Sequence, residues 1–127
     1  MTVDKETKKE IERFRCSCRM YFAEAVNVKE YLAEYPWLSN PEETEKHTSP
    51  RETAVRCQYE KMAADTKMVG ELFDCLEEIG GIPIRVLFWK LLVEQRSLDQ
   101  ISEQYNMTRS QLGHMERKYL LRLFRQE

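Results

Sequence analysis

The chain has 127 residues, a formal net charge of −2, 33% charged and 42% apolar side chains, and four each of Gly, Pro and Cys. Such a composition excludes collagen-like, low-complexity and sheet-rich chains, and it provides core for one domain or two small ones of helical class. No apolar run reaches the ~18–20 residues of a membrane-spanning helix, and the charged start MTVDKETKKEIER lacks the apolar stretch of a secretory signal. A cytoplasmic protein with no membrane partner is therefore expected.

In chain order, the first element is a helix whose apolar positions Ile11, Phe14, Cys18, Tyr21, Ala25, Val28 and Leu32 recur at alternating steps of three and four. That is a heptad seam along one face. Pro36 ends it, because proline disfavours helical geometry in the residue before it. The following connection, residues 36–51, is longer than a bundle loop needs, and Asn40-Pro41 is placed to cap a short helix within it. His47 reads as solvated there, and Trp37 reads as a core anchor rather than a stacking platform.

A second seam runs through Val55, Tyr59, Met62, Thr66, Val69, Phe73 and Leu76. Ser49, Pro50 and Glu52 form the start signal of a capping box with proline at the first helical position. Gly80-Gly81 supplies the stop. Two narrow seams of similar length need burial, so residues 1–81 are read as a helical hairpin or as a coiled coil that forms a homodimer. The heptad pattern does not choose between them. The next block, Pro83 to Glu94, is apolar on nearly all sides and reads as the buried first helix of a C-terminal module, residues 82–127, with Trp89 as an anchor.

Residues 97–125 hold two helix starts close together. Ser97 is placed to cap a helix of about two turns that buries Leu98, Ile101 and Tyr105. Asn106-Met107 makes the turn, and Thr108 caps a longer helix burying Leu112, Met115, Tyr119, Leu120 and Leu123. Short helix, tight turn and capped second helix match the helix-turn-helix, whose second helix lies in the major groove. The fold class expected is thus all-α, an N-terminal hairpin or coiled coil followed by a helix-turn-helix. Arg109, Ser110, Gln111 and His114 follow the cap on the face away from Leu112 and are the candidate base readers. Arg109 suits guanine and Gln111 adenine, each good bidentate pair being worth about 1–3 kcal/mol of discrimination. Thr108, Arg117, Lys118, Arg122 and Arg125 are the candidate phosphate contacts. Charge distribution agrees: residues 82–127 carry 8 Lys/Arg against 5 Asp/Glu, while the remainder of the chain is net negative.

The stretch LDQISEQYNMTRSQLGHMERKYLLRL, residues 98–123, resembles region four of bacterial sigma factors without a gap. The shared elements are Leu98, Ile101, Thr108-Arg109, Glu116, Lys118, Leu120 and Leu123, with Tyr105, Met107, Leu112 and Met115 as apolar equivalents. The resemblance implies that Arg109 contacts promoter bases and that His114 takes the place of a polar reader. Ser110 stands where the family often has glutamate, and Gly113 where it has arginine. No segment resembling sigma region two precedes it. The layout as a whole resembles the ArpU-like phage and prophage late-gene regulators, which implies double-stranded DNA and RNA polymerase as partners. Two other classes fit the same residues: a protein–protein adaptor docking on polymerase without specific DNA binding, and a phage DNA-packaging recognition subunit.

Catalysis is not expected, for want of a polar constellation of the kind an active site needs. Cys16, Cys18, Cys57 and Cys75, with His47 and His114, lack metal-ligand spacing, so free thiols and neither a metal nor a cofactor are expected.

Overall fold

The structure is a computed structural model in which residues 4–125 are described; residues 1–3 and 126–127, the ends of the two expected regions, lie outside them. Among the described residues there are six α-helices and no strand: α1 (Lys5–Glu34), α2 (Pro41–Thr44), α3 (Pro50–Gly80), α4 (Ile82–Phe88), α5 (Leu98–Tyr105) and α6 (Arg109–Arg125). A 3-10 turn spans Pro36–Ser39, and α4 continues into a π-helical turn at Trp89–Val93.

Local chemistry fixes most of the helix ends. Asp4 accepts the Thr7 backbone N–H at 2.7 Å at the start of α1, and that bond holds its carboxyl below the ordinary value. Asn40 caps α2 by accepting from the Glu42 and Glu43 backbone N–H groups. Ser49 and Glu52 exchange bonds as a capping box at α3: the Ser49 hydroxyl accepts from the Glu52 N–H at 3.2 Å, and the Ser49 N–H donates to the Glu52 carboxylate at 3.3 Å. The glycine pair ends α3, with Gly81 at φ +86°.

Two compact units result, one joining the chain up to Arg19 with that from Val69 onward, the other formed by Met20–Met68. In the first, the helix seams supply the core: Phe14 and Cys18 of α1, and Val69, Phe73 and Leu76 of α3, are buried with Leu87, Phe88, Leu92, Val93, Ile101, Leu112, Leu120 and Leu123. Rings link these elements. Phe14 lies 5.8 Å from both Phe73 and Phe124, Phe73 lies 5.1 Å from Trp89, and Phe88 meets Tyr119 edge-on at 6.0 Å. Burial pushes the Cys18 thiol up to about 12, which leaves it a small apolar core group.

In the second unit, Met62 and Leu38 are buried. His47 is a correction to the sequence reading: it is half-buried, stacked on Trp37 with centroids 4.3 Å apart and planes 9° apart, and paired with Glu52. The Ser49 capping box brings this about, because it turns Glu52 back toward the loop. Trp37 is accordingly a half-buried stacking partner and not the core anchor expected. His47, then Ser49, hold the Glu52 carboxyl below its ordinary value.

Two further corrections concern the C-terminal elements. Leu98 was expected in the core but is 42% exposed, because only Ile101 of α5 points fully inward. The block from Pro83 to Glu94 is not buried on all sides: Val86 is 41% exposed, while Leu87 and Phe88 face the core.

Two predictions follow from packing and charge. A Cβ at Gly80 would stand 2.7 Å from the Ile84 Cγ1 and 2.8 Å from the Tyr119 Cε1, whereas one at Gly70 would meet nothing within 4 Å. Gly80→Ala is therefore expected to lose about 1–3 kcal/mol by overpacking. Gly70→Ala should gain up to about 1 kcal/mol from helix propensity. Urea denaturation giving both changes the same sign would reject this account of the α3 terminus. Separately, burial and then the neighbouring Asp65 carboxyl, which also hydrogen-bonds to it, raise the Glu24 carboxyl above its ordinary value, against a weaker opposing effect of Lys61. A raised folded-state value means that Glu24 is neutral at low pH and destabilises the native state as pH climbs from the unfolded value through the folded one. Glu24→Gln should thus match the native chain near pH 4 and melt at higher temperature at pH 7; equal melting temperatures at pH 7 would refute the assignment.

Candidate nucleic-acid interface

The joint between α5 and α6 is built from two caps and one left-handed residue. The Ser97 hydroxyl accepts the Gln100 N–H at 3.1 Å and starts α5. Asn106 ends it at φ +53°, a conformation that asparagine tolerates better than most residues. The Met107 N–H bonds back to the Ser102 carbonyl and the Asn106 N–H to the Glu103 carbonyl, which satisfies carbonyls that the helix end would leave open. Thr108 then begins α6 with a second capping box. Its hydroxyl accepts the Gln111 N–H at 3.1 Å, and its own N–H donates to the Gln111 side-chain oxygen at 2.8 Å. The connection is therefore as short as the sequence reading expected.

Leu112, Leu120 and Leu123 seat α6 on the core, and Met115 and Tyr119 are half-buried beside them. Glu116 reaches Arg15 of α1 at 2.8 Å. The opposite face is open. On it Ser110, His114 and Lys118, four residues apart, form one row, and Gln111 begins the adjacent row, which the half-buried Met115 and Tyr119 continue at the edge of the core. With Asn106 and Met107 these rows bound a shallow groove of about 550 Å³. Ser110, Gln111 and His114 are thus brought together with Lys118.

The remaining candidates lie elsewhere. Arg109 does not line this groove; its guanidinium is held by the Asp99 carboxylate of α5 through Nε at 3.0 Å and Nη2 at 2.6 Å. Both partners are largely exposed, 63% and 75%, so the pair itself contributes little. Arg117 and Arg122 are exposed on α6. Arg125 is half-buried and its charge acts on the Asp4 carboxyl. The Lys118 ammonium sits 5.6 Å from the Tyr119 ring centroid. Gly113 is exposed in mid-helix, and nothing lies within 4 Å of where its Cβ would be. The fold does not require glycine there, and the backbone of α6 stays open to close approach.

Sequence reasoning did not single out Met107, Met115 and Tyr119 as groove walls, or Asp99 as the partner of Arg109. The apolar periodicity places Met115 and Tyr119 in the core, where they are in fact half-buried, and Met107 reads as part of the turn. The pairing depends on how α5 and α6 cross, and the sequence pattern does not contain that angle. Among the described residues no group of three or more His, Cys, Asp and Glu is placed to hold a metal ion, and no helix is long and apolar enough to cross a membrane.

No match was found to a family model, to a curated protein or to a solved structure.

The cap at Thr108 is testable. Thr108→Ala should cost about 1 kcal/mol, within the usual 0.5–2 kcal/mol for a lost N-cap, and Thr108→Ser should stay close to the native chain. Chemical denaturation in which alanine and serine behave alike would mean that the cap does not hold α6.

Proposed function

We propose that this chain is a sequence-specific DNA-binding transcription regulator that lays α6 in the major groove, as a helix-turn-helix similar to sigma region four. The observation that carries this reading is the doubly capped α5–turn–α6 joint. It leaves a solvent-facing helix whose first turns bear Arg109, Ser110, Gln111 and His114 and whose later turns bear Arg117, Lys118 and Arg122. Residues at the start of such a helix reach base edges, and basic residues farther along reach phosphates. The open backbone at Gly113 favours a partner that approaches closely. In this reading the long helices α1 and α3 form the hairpin or the dimerising coiled coil, and the protein is a cytoplasmic regulator of phage or prophage origin that recruits RNA polymerase.

Two side chains must change partners for this to work. Gln111 uses its oxygen in the cap, so reading adenine through both amide groups requires that bond to open. Arg109 must exchange Asp99 for guanine. Loss of an exposed ion pair costs about 0–1 kcal/mol, less than the 1–3 kcal/mol a good base contact returns.

A second reading is favoured by one feature. The groove wall of Met107, Met115 and Tyr119 is apolar, which suits a protein partner, as in an adaptor that docks on polymerase or another regulator.

Selection of bound duplexes from a random DNA pool, run with the native chain and with Arg109→Ala, separates the two. The native chain is expected to return a motif, and Arg109→Ala to relax it at one or two positions. Half-site spacing in the motif reports the oligomer. Recovery of no motif by either protein would overturn the sequence-specific reading in favour of the adaptor.

A further inference from the structure

A second recess in the unit that carries α5 and α6 lies apart from the reading face. It has a volume of about 280 Å³ and is lined by Arg15 and Arg19 of α1, Gln95 and Arg96 of the segment after the π-helical turn, Leu98 of α5 and Glu116 of α6, over a floor of leucines. Three arginines line this one recess, and like charges gathered in this way repel each other. Their internal counter-charges fall short. Arg15 meets Glu116 at 2.8 Å and Arg96 meets Glu94 at 2.9 Å, which leaves one positive charge in surplus. The Arg19 guanidinium donates to the Cys16 sulfur at 3.1 Å, a weak acceptor that neutralises nothing. The Nε–H of Arg15 is closed off from solvent and has no acceptor among the described residues.

Backbone geometry adds to the same field. Gln95 lines the recess from a left-handed conformation, φ +53°, which is uncommon for a residue other than glycine. Strain of this kind gathers at binding sites. Immediately after it, the eight-residue α5 begins at Leu98. Ser97 satisfies the Gln100 and Ile101 N–H groups, so the helix start leaves the N–H groups of Leu98 and Asp99 to an outside acceptor.

We propose that this recess is an anion seat that takes a phosphate oxyanion. Arginines drawn from α1 and from the segment that precedes α5 suit a tetrahedral group, which accepts from several directions. A planar carboxylate is satisfied by one bidentate arginine. The volume holds a phosphoryl group with ordered water, each water occupying about 30 Å³. Two sources present this chemistry: the backbone of a bound duplex, and a free small phosphate compound. The seat does not depend on base reading by α6.

The test uses the full chain with isotope-labelled amides and arginine side chains. Sodium pyrophosphate is titrated at constant ionic strength, with sodium chloride as the control, against the native protein, Arg19→Gln and Arg96→Gln. Both substitutions fall on exposed side chains outside the core, and native-like spectra before titration establish that the variants are folded. The native chain is expected to show saturable shifts at Gln95, Arg96, Leu98 and the Arg15 side chain, with affinity at least tenfold weaker in each variant. In a second arm, binding to duplex DNA is measured across salt concentrations. A salt slope smaller by about 0.9 in each variant marks a lost backbone phosphate contact, and identifies the duplex as the source. Saturable pyrophosphate binding with an unchanged slope identifies a free phosphate compound. If the native chain binds pyrophosphate but no duplex at all, the DNA-binding reading fails and the seat stands. Shifts no larger than those with chloride, together with salt slopes alike in all three proteins, would overturn the seat.

Discussion

The contact between Phe14 and Phe73 is the one on which the unit bearing α5 and α6 depends. Each ring is essentially inaccessible to solvent, and each touches a further aromatic: Phe14 reaches Phe124 near the end of α6, and Phe73 reaches Trp89 in the π-helical turn. One pair therefore joins α1, α3, the α4 extension and α6. Aromatic pairs contribute about 0.5–1.5 kcal/mol beyond the area they bury, and truncating a buried phenylalanine costs about 3–5 kcal/mol. The exposed face of α6 has a fixed direction because its inner face has no alternative place to pack. Glu116 against Arg15 adds polar register to a helix that the rings already hold.

Helix ends are governed by different physics, and they determine how accurately the candidate interface is placed. The apolar seams decide which face of a helix turns inward, but they say little about where the helix starts. Ser97, Asn106 and Thr108 settle that through hydrogen bonds to backbone groups the helix leaves open. The turn between α5 and α6 consequently has no slack, and a shift of one residue would break both caps at once. Gly80 plays the corresponding steric part at the other end of the module, where Ile84 and Tyr119 close over a position that admits no side chain.

Much of this was legible in the sequence, and the limit can be seen residue by residue. The alternation that picked out Phe14, Cys18, Phe73 and Leu76 is a one-dimensional record of burial, and Ser49-Pro50, Gly80-Gly81, Ser97 and Thr108 mark helix ends by local chemistry alone. Local chemistry does not report how elements meet. Leu98 satisfies the apolar period of α5 but lies at its solvent edge. His47 seemed to have only polar neighbours because its stacking partner, Trp37, is ten positions away and is brought back by the chain reversal around α2. The left-handed Gln95 carries no composition signal either, since nothing about glutamine announces positive φ. For the candidate interface, the residue types were legible, and their engagement was not.

That engagement bears on how a reading helix could discriminate. Arg109 held by Asp99 is not an idle arginine; it is kept in one orientation, so less rotamer entropy is lost when it meets a partner. The same pair gives Arg109 an alternative to any poor contact. A cation with a free side chain gains from every phosphate it passes, whereas one that must leave a carboxylate gains only where the replacement is better. Non-specific affinity is lowered at every site, and specific affinity is lowered by the same small amount. The modest positive charge of residues 82–127 acts in the same direction, because phosphate attraction supplies most of the sequence-independent binding. In the DNA-binding reading, Asp99 therefore tunes how firmly Arg109 engages DNA without touching a base, and its removal would tighten binding to duplexes in general and to the preferred site by about the same small amount.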